Sequence, residues 1–351
     1  MLTDIATPFL AVDLAVLEHN ITRMATRAQD LGAALRPHAK THKSTHIAKL
    51  QVAAGAKGLT VATLGEALTF AEAGVADIFV AYPLWLDRPH RLRLEQVLAT
   101  GVKLRIGTDS AAAARQLLDF SDAVELLVEI DSGEHRSGVT PSRAGPTAVD
   151  IAEMGFRVVG AFTFPGHAYS PGSAAPAAED EHQALSQSSA SMKDHGIVPE
   201  VLSGGSTPSV AFGPPDVATE LRPGTYVFSD AQQWELGICQ PSDIALVAYA
   251  SVVSSRPGHV VLDSGGKTLG ADRASWATGF GRLLDYPDAR IIRLSEHHAV
   301  VAWNGDRQPS VGERVRVVPN HVCNAVNLVD KFAIVSQGEH VETWPVSARG
   351  M

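Results

Sequence analysis

Residues 36–43 concentrate titratable side chains directly after an apolar run and read Arg-Pro-His-Ala-Lys-Thr-His-Lys. Alternation of side chains along an extended strand from Leu35 places Lys40 at the end of that strand, where burial can lower the pKa of an amine into the range of a nucleophile. Amine chemistry of this kind needs a carbonyl cofactor. Solvent-facing loops also collect such residues, so a surface cluster without chemistry is the competing interpretation.

A second candidate is the loop at residues 203–208, Ser-Gly-Gly-Ser-Thr-Pro, which follows a later apolar run. Gly204 and Gly205 allow close approach of the backbone to a ligand, and Ser206 and Thr207 add hydroxyl donors beside backbone N–H groups. The same composition occurs in ordinary turns. Its position on the seventh strand of a predicted barrel, in a chain that also carries Lys40, favours a phosphate site.

Two further strand ends carry polar side chains, in residues 129–138 and 166–169. Arg136 can hydrogen-bond a phenolate oxygen of a cofactor ring, or it can be a surface arginine in an ion pair. His167 can act as a general base or stack on a cofactor, or it can be a hydrogen-bonded loop histidine. Tyr169 is a candidate for stacking or for contact with a substrate.

The C-terminal part contains a His-x-Cys pair, His321 and Cys323, after the strand-like residues 314–318. On extended backbone both side chains point to the same face. An imidazole nitrogen and a thiolate sulfur together favour Zn²⁺, while availability and geometry leave Mn²⁺ open. Two protein ligands leave coordination positions for water and substrate, which suits catalysis. A buried cysteine beside an ordinary histidine is the competing interpretation.

The elements that must position these residues begin with eight short apolar or β-branched runs separated by helical patterns. The runs cover residues 34–40, 58–63, 77–83, 103–108, 124–130, 158–164, 200–205 and 225–230. Asp13 is a candidate N-cap for the first helix. Eight strand–helix units predict an α/β fold with a (β/α)₈ TIM barrel, in which reactive groups lie at the carboxyl ends of the strands.

After about residue 233 the pattern changes to strands separated by turn signals. The strand-like segments are 245–254, 259–265, 289–303, 314–319, 331–337 and 340–346. We therefore predict an N-terminal strand in residues 1–14 that can join the β domain, a barrel in residues 15–235 and an all-β domain in residues 236–351. The β domain carries the predicted metal site.

Composition excludes several classes of protein. The 351 residues include 19% charged and 45% hydrophobic residues, with a formal net charge of -9 and two cysteines. A globular chain without a basic stripe is a poor partner for nucleic acid, and two cysteines are too few for a disulfide framework. The sequence contains neither a signal-peptide pattern nor an apolar run long enough to span a membrane. We expect a cytoplasmic protein.

Several segments together resemble the D-serine dehydratase and D-threonine aldolase group of pyridoxal phosphate enzymes. They are residues 36–43, 61–67, 70–74, 81–84, 166–169, 203–208, 262–265 and 319–323, with Asn327 and Leu328, and they cover essentially the whole chain. The resemblance implies the alanine-racemase-like fold, type III, which is a barrel followed by a β domain. It also implies a homodimer and a small D-β-hydroxy amino acid as substrate.

The resemblance gives each candidate residue a role. Lys40 bonds covalently to pyridoxal phosphate, and residues 203–207 bind the phosphate group of the cofactor. Arg136 and His167 lie beside the cofactor ring. His321 and Cys323 hold a catalytic divalent metal, with zinc favoured over manganese by the ligand chemistry.

Two reactions are open within this group. The His-x-Cys pair and the Ala-Tyr-Pro-Leu segment at residues 81–84 look more like the D-serine dehydratase branch, since the aldolase branch more often has His-x-Asp. We therefore predict dehydration of D-serine or D-threonine to a keto acid and ammonia. The alternative is a D-threonine aldolase, which releases glycine and an aldehyde with His167 or a metal hydroxide as the base. A non-catalytic cofactor-binding protein is a third possibility, but it gives His321 and Cys323 no role.

Overall fold

The computed structural model describes residues 2–213, 217–305 and 307–350. Its strands are β1 (Phe9–Asp13), β2 (Ala34–Leu35), β3 (Leu59–Val61), β4 (Asp77–Pro83), β5 (Lys103–Thr108), β6 (Val124–Ile130), β7 (Arg157–Thr163), β8 (Val201–Gly204), β9 (Glu220–Leu221), β10 (Leu246–Arg256), β11 (His259–Leu262), β12 (Gly281–Leu283), β13 (Tyr286–Leu294), β14 (Ala299–Ala302), β15 (Arg314–Pro319), β16 (Lys331–Ser336) and β17 (Glu339–Pro345). Its α-helices are α1 (Leu14–Asp30), α2 (Thr45–Ala53), α3 (Leu64–Glu72), α4 (Arg88–Ala99), α5 (Ala111–Arg115), α6 (Ala144–Ala152), α7 (Ala174–Asp194), α8 (Ala231–Glu235), α9 (Gly266–Leu269) and α10 (Val322–Asn327).

The chain divides into two compact units. The barrel unit contains Arg23–Lys40 and Ile47–Gly224, and the β unit contains Met1–Thr22, Thr41–His46 and Thr225–Gly350. The last change of unit therefore falls after Gly224, whereas the sequence placed the end of the barrel at residue 235. The short segment Thr41–His46, which lies in the middle of the predicted barrel sequence, belongs to the β unit.

The barrel unit is built on one parallel sheet in the order β2-β9-β8-β7-β6-β5-β4-β3. A parallel bridge between His38 and Thr60 joins the two end strands, and the Thr60 amide donates to the Pro37 carbonyl at 2.9 Å. These contacts close the sheet into a barrel. The predicted fold class is thereby confirmed, and the carboxyl ends of all eight strands face one end of the barrel.

The eighth barrel strand was predicted at residues 225–230, and that prediction is wrong. The strand is β9, which contains only Glu220 and Leu221, while Thr225–Val227 forms a 3-10 helix in the β unit. Two residues are too few to show an alternating pattern. Hydropathy also fails to indicate this strand, because one of its two residues is the charged Glu220. Its carboxylate is buried and pairs with Arg36.

Side-chain caps fix where the helices begin. The Thr63 hydroxyl accepts a hydrogen bond from the Glu66 amide at 3.0 Å, and the Glu66 carboxylate accepts one from the Ala62 amide at 2.7 Å. The predicted cap of α1 is confirmed, since Asp13 accepts from the Val16 amide at 3.2 Å. Each such cap contributes about 1 kcal/mol to helix stability. In the described part of the chain, none of the helices has the length and apolar character needed to cross a membrane.

An ion-pair network fills the end of the barrel where the strands begin. Arg36 is fully buried and donates to Asp77 at 2.8 Å and to Glu220 at 2.7 Å. Arg105 pairs with Glu125 at 3.0 Å in the same layer. Buried charges are tolerated when they are paired in this way. The charged residues at this end of the barrel therefore have a structural role.

An apolar layer follows the ion pairs along the barrel axis. It consists of Phe79, Leu127, Val159, Phe162 and Val201. The rings of Phe79 and Phe162 meet edge to face with their centroids 5.0 Å apart, which is a favoured aromatic geometry. This layer closes the barrel from within and leaves the carboxyl ends of the strands for ligand chemistry.

The β unit contains a nine-stranded sheet in the order β11-β14-β13-β12-β15-β10-β1-β16-β17. An additional β10–β11 pairing closes six of these strands into an antiparallel barrel. The N-terminal strand β1 pairs antiparallel with β10 and parallel with β16. Residues 289–303, predicted as one strand, form the hairpin β13–β14, and the three-residue strand β12 had no sequence signal.

Candidate active site

A cavity of about 560 Å³ lies in the barrel unit at the carboxyl ends of the strands. Its lining comprises His38, Lys40, Ala62, Ala81, Tyr82, Pro83, Asp109, Arg136, Ser137, Phe164 and Arg222. The volume is typical of small-molecule and cofactor sites. Two of the residues singled out from the sequence, Lys40 and Arg136, are therefore brought together.

The side chains of Lys40 and Arg136 both contact the ring of Phe164. The Lys40 Nζ lies 5.5 Å from the ring centroid, and the Arg136 guanidinium carbon lies 5.4 Å from it. Cation–π contacts of this kind are worth about 0.5–2 kcal/mol each, depending on exposure. Lys40 is not on a strand as predicted, because β2 ends at Leu35 and Lys40 lies in the 3-10 turn Ala39–Thr41. The turn, rather than strand alternation, directs the amine to the cavity.

Arg222 also lines this cavity and is buried, and no sequence pattern singled it out. Its guanidinium lies over the rings of Phe79 and Phe162, at 5.6 and 5.3 Å, and donates to the Thr163 carbonyl. Burial lowers the pKa of Arg222 to about 10, so the group is a cation at neutral pH. Its Nε is buried and has no protein acceptor. A buried donor of this kind can be satisfied by an acceptor on a ligand or by an ordered water.

A buried carboxyl group, that of Glu129, bonds to the part of the cavity wall that contains Arg136. Glu129 lies on β6, and its Oε1 accepts from the Ser137 hydroxyl at 2.9 Å. Burial raises the pKa of Glu129, whereas Arg136 and Arg222 act in the opposite direction. Because Ser137 and Arg136 are neighbours in the cavity wall, this hydrogen bond helps to hold the loop that presents Arg136.

His167 and Tyr169 lie in and just after the 3-10 turn that follows β7. The Tyr169 ring centroid is 6.2 Å from that of Phe164, so Tyr169 adjoins the ring that contacts Lys40 and Arg136. The Nε2 atom of His167 lies 3.2 Å from Asp180, and its Nδ1 is buried without a protein partner. Neither His167 nor Tyr169 is among the described residues that line the cavity. Their roles beside the cofactor stay predictions.

The Gly204–Thr207 loop is buried at the end of β8. Gly205 has a φ of +84°, and a side chain there would meet Val210 at 3.0 Å, so any other residue would be strained at this position. The Gly205 amide donates to the buried Glu181 carboxylate, and the Ser206 amide donates to the Ser209 hydroxyl at 2.9 Å. Two amides of the predicted phosphate cradle are thus engaged within the protein. Phosphate binding by this loop stays a prediction that depends on its other donors.

His321 has extended backbone as predicted, but Cys323 does not, so the two residues do not share one strand. His321 is the N-cap of α10, and Cys323 lies in the first turn of that helix. The Cys323 thiol donates to the Thr41 hydroxyl at 3.3 Å within the β unit. The electrostatic interaction with Cys323 is the main cause that raises the pKa of His321 to about 11, and Asp272 acts in the same direction. Imidazole and thiol therefore influence each other strongly despite the helical backbone.

Asp272 completes this cluster and was missed in the sequence. Its Oδ2 lies 2.9 Å from the Nδ1 of His321, and its buried Oδ1 has no protein partner. Burial raises its pKa, but hydrogen bonds from His321 and Asn324 outweigh burial and lower it. A carboxylate on one imidazole nitrogen leaves the other nitrogen for a metal, which is the usual arrangement around metal-bound histidine.

The donor set at α10 fits a divalent metal that keeps open coordination positions. The imidazole Nε2 of His321 and the Cys323 thiolate are two ligands of the type that zinc prefers. Among the described residues there is no group of three or more histidine, cysteine, aspartate or glutamate side chains placed to hold a metal.

Comparison with known proteins gives the family. The family described as alanine racemase, N-terminal domain, matches residues 12–232, and the family described as putative serine dehydratase domain matches residues 245–335. The chain belongs to the alanine racemase N-terminal domain family, and its fold is the alanine-racemase-like type III fold. The family implies pyridoxal phosphate as the cofactor, and the cavity with Lys40, Arg136 and Arg222 fits that group.

Its relatives define a class of lyases. The chain is 32% identical to the D-threo-3-hydroxyaspartate dehydratase of Delftia sp. (strain HT23), over 96% of each protein. It is 31% identical to the D-threonine aldolase of Arthrobacter sp., over 99% of this chain and 94% of the aldolase. The solved structure of the Delftia dehydratase matches with a TM-score of 0.88 over 97% of both chains. That of the D-threonine aldolase from Filomicrobium marinum is 29% identical and matches with a TM-score of 0.87 over 99% of this chain and 97% of the aldolase.

Proposed function

We propose that this protein is a pyridoxal phosphate- and divalent-metal-dependent dehydratase of D-β-hydroxy-α-amino acids, with D-serine and D-threonine among its substrates. The observation that carries the proposal is the His321–Cys323 pair with Asp272 on the imidazole. One solved structure of the D-threo-3-hydroxyaspartate dehydratase is a variant in which a histidine is replaced by alanine. In another solved structure of that enzyme, a cysteine two positions further along the chain is replaced by alanine. The cysteine variant is described as metal-free. This spacing equals that of His321 and Cys323.

Lys40 is the residue that moves the proton. Its amine lies at the cavity wall over the face of Phe164, and that contact orients the side chain. When it carries no proton, this amine can take the proton from Cα of a bound amino acid. When they are bound, the cofactor accepts the electron pair left at Cα and the metal ion polarises the β-hydroxyl group.

The arginines of the cavity bind rather than transfer protons. The guanidinium of Arg136 is held over Phe164, where it can donate to an oxygen of the cofactor. Arg222 offers a buried Nε to an acceptor on the ligand. Arg222 keeps its charge at neutral pH, and the planar guanidinium groups of both arginines can hold the ligand in one orientation.

In the β unit, His321 and Cys323 would hold the metal, and Asp272 fixes the orientation of the imidazole through its Nδ1. We propose zinc as the native metal because imidazole and thiolate are its preferred ligands. Elemental analysis of the purified protein tests this choice against manganese. Removal of the metal with EDTA should suppress turnover while the cofactor stays bound, and full activity of the metal-free protein would refute the role of the pair.

The products distinguish the possible reactions. The purified protein is incubated with D-serine, D-threonine and D-threo-3-hydroxyaspartate, and ammonia, keto acids and glycine are quantified. Dehydration of D-serine gives pyruvate and ammonia, and dehydration of D-threonine gives 2-oxobutanoate and ammonia. A bound cofactor with no turnover of any substrate would favour a non-catalytic binding protein and refute the proposal.

An aldolase is the second candidate function, and the 31% identity to a D-threonine aldolase over 99% of the chain favours it. In that reaction a base takes the β-hydroxyl proton and the Cα–Cβ bond breaks. His167, with its buried unpartnered Nδ1, is the candidate base in the barrel unit. Glycine and acetaldehyde from D-threonine, without ammonia, would establish the aldolase and overturn the dehydratase.

We also propose that the protein is a cytoplasmic homodimer that binds neither nucleic acid nor membrane. The negative net charge supports the absence of a polyanionic partner. Light scattering on the holoenzyme tests the dimer, and a monomer at micromolar concentration would contradict it. Fractionation of the cells that make the protein tests the location.

A further inference from the structure

A short segment of the chain contacts both α10 and the C-terminal segment of the β unit. This strap is Thr41–His46, which belongs to the β unit although the residues on either side of it belong to the barrel unit. It begins at the peptide bond that follows Lys40. Its residues from Thr41 to Ser44 are all buried, and the Thr41 side chain is almost completely shielded from solvent.

Two strap side chains contact α10 directly. The Thr41 hydroxyl is 3.3 Å from the Cys323 sulfur, and the Lys43 amine donates to the Asn327 side chain at 2.8 Å. Cys323 and Asn327 are four residues apart, so they lie on the same face of the helix. The strap therefore runs along the helix face that carries the candidate metal ligand.

The other side of the strap is fixed to the C-terminal segment of the chain. The Lys43 carbonyl accepts from the Ala348 amide at 2.9 Å, and the Thr45 hydroxyl lies 3.2 Å from that of Ser347. Because the strap is held on this second side, Thr41 cannot swing away from α10 without breaking contacts elsewhere. Its hydroxyl is a fixed neighbour of the sulfur rather than a mobile one.

We infer that Thr41 is a positioning residue for the metal site, which holds the sulfur of Cys323 toward the ion. This inference rests on the proposed function, since it concerns the metal that the function requires. In the metal-free protein the thiol donates to the hydroxyl. A sulfur that held a metal would be a thiolate, and the hydroxyl, which can donate as well as accept, would then donate to it.

The expected loss of metal affinity can be judged from hydrogen bonds to metal ligands in other proteins. Hydrogen bonds to a metal ligand commonly change affinity by about 10- to 100-fold. Thr41→Val keeps the shape of the side chain and removes the hydroxyl, so it should weaken metal binding within that range. Thr41→Ser keeps the hydroxyl and should restore affinity close to that of the wild type.

The test is a titration of metal-free protein with Co²⁺, followed by the visible absorption that cobalt shows when it is bound by thiolate. The dissociation constant for Zn²⁺ is then obtained by competition. The matched control is Thr45→Val, the same substitution in the same strap at a hydroxyl that faces Ser347 instead of α10. It should bind both metals like the wild type. Cys323→Ala should abolish the cobalt–thiolate band.

The outcomes separate this inference from the function on which it rests. If the wild type shows the cobalt–thiolate band and Thr41→Val binds metal as tightly as the wild type, the inference is wrong and the proposed function stands. Equal weakening in Thr41→Val and Thr45→Val would show a general loosening of the strap and would also refute it. If the wild type shows no thiolate band, the metal site itself is wrong and the inference falls with it.

Discussion

Glu181 on α7 makes the stability of the barrel unit depend on pH. Its side chain is 7% exposed, its Oε1 accepts from the Gly205 amide and its Oε2 accepts from the Ser209 hydroxyl at 3.3 Å. Burial raises the pKa of Glu181 from an ordinary 4.5 to about 7, although Gly205 and Arg222 oppose it. Glu181→Gln keeps a carbonyl oxygen for the Gly205 amide and cannot ionise.

The sign and the size of the effect follow from proton binding. Between pH 4.5 and pH 7 the folded protein holds a proton on Glu181 that the unfolded chain has lost, so the free energy of unfolding falls as the pH rises. The interval between 4.5 and about 7 corresponds to about 3 kcal/mol. Below pH 4.5 wild type and Glu181→Gln should be almost equally stable, and at pH 8 the variant should be more stable by about 3 kcal/mol.

The assay is urea unfolding at a series of pH values from 4.5 to 8, with the difference between wild type and variant plotted against pH. Other buried acids, among them Asp230, titrate in both proteins and cancel in the difference. Glu179→Gln, an exposed position on the same helix, is the matched control and should give a flat difference curve. A flat curve for Glu181→Gln as well would refute the account of this carboxyl group.

Three further predictions concern the two units separately. Lys40→Ala should abolish the change in visible absorbance that borohydride causes in the wild-type holoenzyme, because the covalent link to the cofactor is lost; the measurement is a spectrum before and after reduction. Asp272→Asn should weaken metal binding by about 10- to 100-fold, because His321 loses its anionic partner; chelator competition measures it. Arg36→Met should lower the free energy of unfolding by up to about 3–5 kcal/mol, because the buried Glu220 loses its nearer cationic partner and is left with Arg105 at 3.5 Å; urea unfolding measures it.

Each of these has a counterpart elsewhere in the chain. Lys49→Ala alters an exposed lysine of α2 and should leave the borohydride response intact. Asp285→Asn removes a carboxylate that pairs with Arg316 and should leave metal affinity unchanged. Arg91→Met removes a surface ion pair and should cost less than about 1 kcal/mol. A variant that behaves like its counterpart contradicts the corresponding prediction.

The barrel was predictable where its strands are long. The strands β4, β5 and β6 were predicted to the residue, because six or seven consecutive apolar or alternating positions leave a clear period. Strands β2 and β9 have two residues each, and no pattern can be read from so few. Their place in the barrel depends on pairing partners far away in the sequence, and on the Arg36–Glu220 ion pair.

The candidate site was predictable where residues cluster in sequence. Lys40 and Arg136 follow apolar runs and were found for that reason, and both line the cavity. Arg222 was missed because it follows the strand that was misplaced. Asp272 was missed because it lies 49 residues from His321 and meets it only after folding. Site residues that are close together in the sequence can be predicted from their spacing. Site residues that come from distant elements cannot.

The way in which the polypeptide alternates between its two units has a consequence for biosynthesis. The β unit draws on the first 22 residues, on Thr41–His46 and on everything from Thr225 to Gly350. On the ribosome, a nascent chain that has reached Gly224 carries every strand of the barrel, while β1 and the strap still await the partners that complete their sheet and helix contacts. A break after Gly224 therefore keeps the whole barrel unit on one fragment but divides the β unit, because Met1–Thr22 and Thr41–His46 stay with the barrel.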